Sequence, residues 1–232
     1  MPETRLVSTT QLLASLFSLL VTLLIIGGLE FWSAGTLDWP DGRLWLVIFT
    51  VTIFIALLYL WRVNPEIFVA RSGIARGTKA WDYIFIGLIF ASFVAVFVVA
   101  GLDFRFGWTH VPDWLLWIGY LAFFLGFFIQ TRAQAENRHF EPGVRIQSDR
   151  GHQVIDTGLY GTVRHPGYIS GSLLILGTAL GLGSFWSLIP ALVCVATLML
   201  RTIEEERTLR AELPGYADYT QRTKYRWIPG IW

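Results

Sequence analysis

Two short runs hold most of the side chains in this sequence that could do chemistry. Arg164-His165-Pro166-Gly167-Tyr168 stands directly before an apolar stretch, and Arg201-Thr202-Ile203-Glu204-Glu205-Glu206 follows the next one. Pro166 is tolerated in a helix's first turn and holds the residue before it out of helical geometry, so a helix is expected to begin there. A helix start offers free backbone N–H groups and a positive dipole end, which together can seat an anion. Arg164, His165 and Tyr168 would add a cation, an ionisable ring and an aromatic face. In the second run Arg201 and Glu205 share a helical face, and Glu204 and Glu206 stand about 100° to either side of it. One wall of N–H donors, Arg, His and Tyr facing a wall of carboxylates suits a zwitterionic ligand with an aromatic ring. Each run also has a plainer reading. The first can simply mark where a segment begins, and the carboxylates can be a solvated stretch of a helix that continues to Leu209.

Other chemistries find less support. His110, His139, His152 and His165 are far apart, and there is no His-Glu-x-x-His or Cys-x-x-Cys, so no metal site is expected. A Walker loop and a Gly-x-Gly-x-x-Gly after a strand are both absent, and Ser170 and Ser172 lack the context of a nucleophile elbow. Cys194 is the only cysteine; it excludes an intrachain disulfide and reads as a small buried hydrophobe. No nucleic-acid partner is expected.

A membrane must position the two polar runs. The chain is 54% hydrophobic and only 15% charged, too apolar for an ordinary soluble domain. Uncharged runs near residues 12–28, 44–61, 83–102, 114–129, 168–182 and 185–200 predict an all-α polytopic bundle of about six membrane segments. The last two are short and separated by Gly183 and Ser184, so they read as a helical hairpin that need not fully span. A hairpin returns the chain to the face it left, which should bring 164–168 beside 201–206. Gly167, Gly171, Gly177 and Gly181 within it allow close helix packing or room for a ligand. The first run, preceded by Arg5, is longer than a secretory h-region and reads as a permanent helix.

With six crossings, all of the 18 Lys and Arg except Arg43 and Arg105 fall on one face. Positive charge orients membrane proteins, so both termini are expected in the cytoplasm. The host would be the cytoplasmic membrane in a prokaryote or the endoplasmic reticulum in a eukaryote. Trp32, Trp45, Trp61, Trp81, Trp108, Trp114 and Trp186 lie near segment ends and read as interfacial anchors. Residues 1–232 form a single membrane domain on this reading. Polar residues in 1–130 are explained as boundaries and turns, and function is expected in 131–232, where polar groups crowd together.

The C-terminal hundred residues resemble the isoprenylcysteine carboxyl methyltransferase and phospholipid methyltransferase superfamily of integral membrane enzymes. The resemblance rests on the order and spacing of GHQVIDTGLYGTVRHPGY, the apolar hairpin, RTIEEE, and ELPGYADY followed by YRWIPGIW. It implies an S-adenosylmethionine-dependent methyltransferase acting on a lipid or prenylated acceptor, most closely an isoprenylcysteine carboxyl O-methyltransferase. It also implies cofactor binding by His152, Gln153, Val154, Ile155, Tyr160, His165, Pro166, Gly167, Tyr168 and Glu205, with Arg201 on the acceptor side and Arg201 and Glu205 as the catalytic pair. Three alternatives stay open: a phospholipid amine N-methyltransferase, a sterol-type reductase that shares the hairpin but uses a nicotinamide cofactor, and a non-enzymatic protein that keeps the scaffold.

Overall fold

The computed structural model describes residues 9–71 and 73–232. Arg5, counted above with the cytoplasmic charges, lies outside the described residues. The described chain is helical: α1 (Thr9–Ala34), α2 (Pro40–Val63), the short α3 (Glu66–Ala70), α4 (Asp82–Phe106), α5 (Asp113–Glu136), α6 (Pro166–Gly181), α7 (Leu188–Glu212) and α8 (Tyr216–Arg222). The long helices begin and end where the local chemistry favours it. Pro40 and Asp41 open α2, Asp82 opens α4, and α4 stops at Gly107, whose φ of 62° suits a residue without a Cβ.

Four helices are long and apolar enough to cross a membrane, not about six: the Phe17–Ala34 part of α1, then α2, α4 and α5. The correction falls on the C-terminal hairpin. The 16 residues of α6 rise about 24 Å, short of a hydrocarbon core of roughly 30 Å. In α7 the apolar part ends at Leu200, and the same helix then carries Arg201, Glu204, Glu205 and Glu206 before it stops at Glu212. A hairpin returns the chain to the same face whether or not it spans, so the charge partition survives the change from six crossings to four.

Outward faces of the long helices are greasy: Val47, Ile84, Leu121 and Phe128 have no protein cover, the inverse of a soluble protein's surface. Inside, Ile26, Trp45, Phe97, Tyr120 and Phe123 make one core. Trp45 is therefore corrected from anchor to core residue; it is 1% exposed, whereas Trp32, Trp61, Trp108, Trp114 and Trp186 do stand exposed.

The hairpin is fastened to the bundle through α5. A Cβ on Gly177 would lie 2.6 Å from both Gly119 O and Phe123 N, so the two helix backbones touch because neither carries a side chain at the crossing. The C-terminal tail then secures the start of α6. Backbone N–H groups of Arg164 and His165 donate to the carbonyls of Tyr225 (3.0 Å) and Arg226 (2.9 Å). Trp227 Nε1 donates to Thr202 Oγ1 on α7 at 2.9 Å. Pairing these donors leaves the His165 side chain available for the site, and it makes no cap to its own helix.

Candidate active site

A cavity of about 1140 Å³ lies where the hairpin meets the membrane helices, larger than the roughly 300–1000 Å³ that holds one small ligand. His152, Gln153, Val154, Ile155, Tyr160, His165, Pro166, Gly167, Tyr168, Arg201 and Glu205 all line it. The structure thus brings together in one place every residue that the resemblance implies for the site, but not Glu204 or Glu206 of the carboxylate wall. Its remaining wall is apolar, with Ile53 and Leu57 of α2, Ile86, Ile89 and Phe93 of α4, and Phe127 of α5. One continuous space is therefore polar on one side and suited to hydrocarbon on the other.

The three consecutive carboxylates of α7 point in three directions, as a 100° step requires. Glu204 pairs at the surface with Arg207 at 2.5 Å. Glu206 is buried, and Arg164 Nε at 2.5 Å, Arg226 Nε at 2.9 Å and His165 Nε2 at 3.3 Å surround it. Burial alone would raise its pKa, but the hydrogen bonds from His165 and Arg164 outweigh burial and hold it well below the usual carboxylate range. Glu205 faces the cavity. Its partners are the Tyr168 hydroxyl, which donates to it, and His165 Nδ1 at 3.8 Å.

Arg201 does not have the freedom expected of a group that grips an acceptor carboxylate with both arms. Its Nε and Nη2 bind Asp82 at 2.6 and 2.9 Å, and Nη2 also donates to Pro142 O at 2.6 Å. Only Nη1 has no hydrogen bond among the described residues. Asp82 Oδ2 in turn accepts the Val144 N–H at 2.7 Å, so one buried carboxylate fixes both Arg201 and the 142–144 turn. The Arg201 guanidinium lies over the Tyr168 ring at 5.6 Å, and that ring stacks on His165 at 5.5 Å and 11°.

Local contacts orient the other lining residues. Tyr160 closes a 3₁₀ turn (Gly158–Gly161); its hydroxyl accepts from Asn137 Nδ2 at 3.2 Å, and its carbonyl accepts from the Tyr219 hydroxyl at 2.7 Å. Val154 packs near Leu213, Tyr216 and Tyr219. His152 Nδ1 accepts the Gln147 N–H at 3.3 Å, so its neutral ring carries the proton on Nε2. Burial first, and then neighbouring His139, push the His152 pKa down to about 4. At Gly167 an added Cβ would meet the Phe140 ring at 2.7 Å, so the cavity wall passes close to this backbone.

Sequence reasoning missed three contributors: Asp82 and Arg71, both from the half expected to supply only boundaries, and Glu206 as a separate structural carboxylate. Asp82 sits at the start of α4 and Arg71 just past α3, positions already explained by segment ends. Among the described residues no group of three or more His, Cys, Asp or Glu is placed to hold a metal ion.

The donor set fits S-adenosylmethionine. A carboxylate whose partners are a phenol and an imidazole can take up the amino group, and the Tyr160, His165 and Tyr168 rings flank the space. No curated protein matches the chain. Residues 114–213, which run from the start of α5 through all of α6 and α7, match the family model described as phospholipid methyltransferase. Over this stretch, less than half of its length, the protein is similar to the S-adenosylmethionine-dependent methyltransferases of lipid-type substrates.

Proposed function

We propose that the enzyme holds S-adenosylmethionine on the polar side of the cavity and an apolar-tailed acceptor on its membrane side, and that the acceptor is a prenylated carboxylate of the isoprenylcysteine type. The single observation that carries this reading is the cavity itself, which joins the His165, Tyr168 and Glu205 wall to the α2, α4 and α5 hydrocarbon wall without a partition. When bound, the cofactor supplies a methyl group activated by an adjacent sulfonium. Glu205 would receive its amino or hydroxyl groups, His152 to Ile155 would pass along one edge, and Tyr160, His165 and Tyr168 would enclose the adenosine.

The protein's share of the catalysis is placement. A carboxylate acceptor is already nucleophilic at neutral pH, so holding donor and acceptor in line and excluding water lowers the barrier more than a general base would. Arg201, neutralised by Asp82 and lying over Tyr168, fixes the wall against which the reacting groups meet. The charge partition supports termini and cofactor entry on the cytoplasmic face, with the acceptor entering laterally from the bilayer. Transfer of a tritiated methyl group from S-adenosylmethionine to N-acetyl-S-farnesylcysteine in detergent tests the proposal. Labelling of phosphatidylethanolamine instead would move the acceptor to an amine.

A further inference from the structure

Most charges in and around the cavity are matched. Arg145 is held by Glu141 at 2.7 Å and Asp149 at 2.6 Å, Arg164 by Glu206, and Arg201 by Asp82. Among the described residues two lining charges are not matched by an opposite charge in this way. Glu205 is one, and Arg71 is the other. No Asp or Glu among the described residues lies within ion-pair distance of Arg71, whose guanidinium rests on the Phe140 ring at 5.3 Å and lines the cavity.

Arg71 keeps an exposed surface and is among the residues that line the cavity. Its backbone is tied into the last turn of α3, the Arg71 N–H donating to Ile67 O at 3.0 Å. The same short helix contributes Ile67 and Phe68 to the apolar wall. The Phe140 ring that carries Arg71 also lies against Gly167 at the start of α6, so the cation stands one ring away from the polar wall and just past the short helix that carries the apolar-wall residues Ile67 and Phe68. Burial, followed by the like charge of Arg201, works against its charged form, a penalty that an arriving anion would relieve.

We infer that Arg71 is a specificity residue that grips a compact anionic group, carboxylate or phosphate, on the apolar-tailed acceptor. The inference rests on the methyltransferase reading and deepens it. A guanidinium can bind either oxyanion through two parallel hydrogen bonds. With a carboxylate acceptor Arg71 would hold the group to be methylated, and with a phospholipid it would hold the phosphate beside the reacting amine.

The test compares wild type with Arg71→Gln and Arg71→Lys in the detergent-purified full chain. Three ligands are titrated by calorimetry: S-adenosylhomocysteine, N-acetyl-S-farnesylcysteine and its neutral carboxamide; phosphatidic acid forms a separate arm. For Arg71→Gln the expected result is S-adenosylhomocysteine affinity within about threefold of wild type and an unchanged melting temperature. One anionic probe should bind about 10–100-fold more weakly, with Arg71→Lys intermediate and the carboxamide indifferent to either change. Dependence on Arg71 for the farnesylcysteine carboxylate alone, or for phosphatidic acid alone, identifies which oxyanion it reads. Loss of S-adenosylhomocysteine binding in Arg71→Gln would overturn the inference by assigning Arg71 to the cofactor, as would binding of neither anion to wild type. Failure of wild type to bind S-adenosylhomocysteine, with the anion effect intact, would instead count against the methyltransferase reading.

Discussion

Replacing Glu206 by Gln removes one negative charge from beneath Arg164, Arg226 and His165 while keeping the side chain's shape. Both Arg164 and Glu206 have side chains only 3% exposed, so solvent cannot restore what the carboxylate supplied. Breaking a buried pair from one side typically costs about 3–5 kcal/mol. In a chain of this size that corresponds to a fall in melting temperature of roughly 6–20 °C. Thermal unfolding of the detergent-solubilised protein, followed by tryptophan fluorescence, would measure it. The pair Arg164→Met with Glu206→Leu should recover part of the loss, because it removes the buried cation and leaves Arg226, 30% exposed, to be solvated. The pH dependence has a definite sign. Glu206 binds its proton less readily in the folded protein than in the unfolded chain, so its contribution is complete above the ordinary carboxylate range and is lost on acidification below it. A Glu206→Gln loss under about 1 kcal/mol, or no rescue by the double replacement, would refute the structural role given to this carboxylate.

Asp82→Asn should cost about 2–5 kcal/mol in the same assay by loosening both Arg201 and the 142–144 turn; a neutral result would mean that the turn is held elsewhere. Gly167→Ala forces the Phe140 ring out of position and should weaken S-adenosylhomocysteine binding about tenfold, ~1.4 kcal/mol, a change measurable by calorimetry. Glu30, fully buried in α1 with neither carboxyl oxygen partnered among the described residues, should give a more stable protein by about 1–3 kcal/mol when changed to Met; a lower melting temperature would reveal a partner. The depressed pKa of His152 means that its stabilising contribution is present above its ordinary value near 6.5 and declines as pH falls toward about 4. Stability curves of wild type and His152→Gln should therefore diverge across that window, and parallel curves would contradict it.

The meeting of residues 164–168 with 201–206 was legible because a tight hairpin leaves the chain no other route. Pro166 also marked the helix start correctly for a local reason that needs no tertiary knowledge. The number of crossings was not legible, since an apolar run shows composition but not whether its helix is long enough or continues into charge. Trp45 illustrates a different limit: indole at a segment end is equally at home in the headgroup region and in a core, and only the neighbouring helices decide. Asp82 and Arg71 escaped notice because each already had an adequate explanation as a boundary residue. For Glu205 and Glu206 the spacing predicted divergent directions, but which one faced the cavity depended on the position of the C-terminal tail.

The most direct measurement is calorimetric titration of S-adenosylhomocysteine, and separately NADPH, into wild type and Glu205→Gln. Glu205 faces the cavity with no cationic guanidinium depending on it, so its replacement should abolish saturable S-adenosylhomocysteine binding while the melting temperature stays within a few degrees. NADPH should not bind. Undiminished S-adenosylhomocysteine binding in Glu205→Gln would contradict the site, and saturable binding of NADPH alone would contradict the methyltransferase account as a whole.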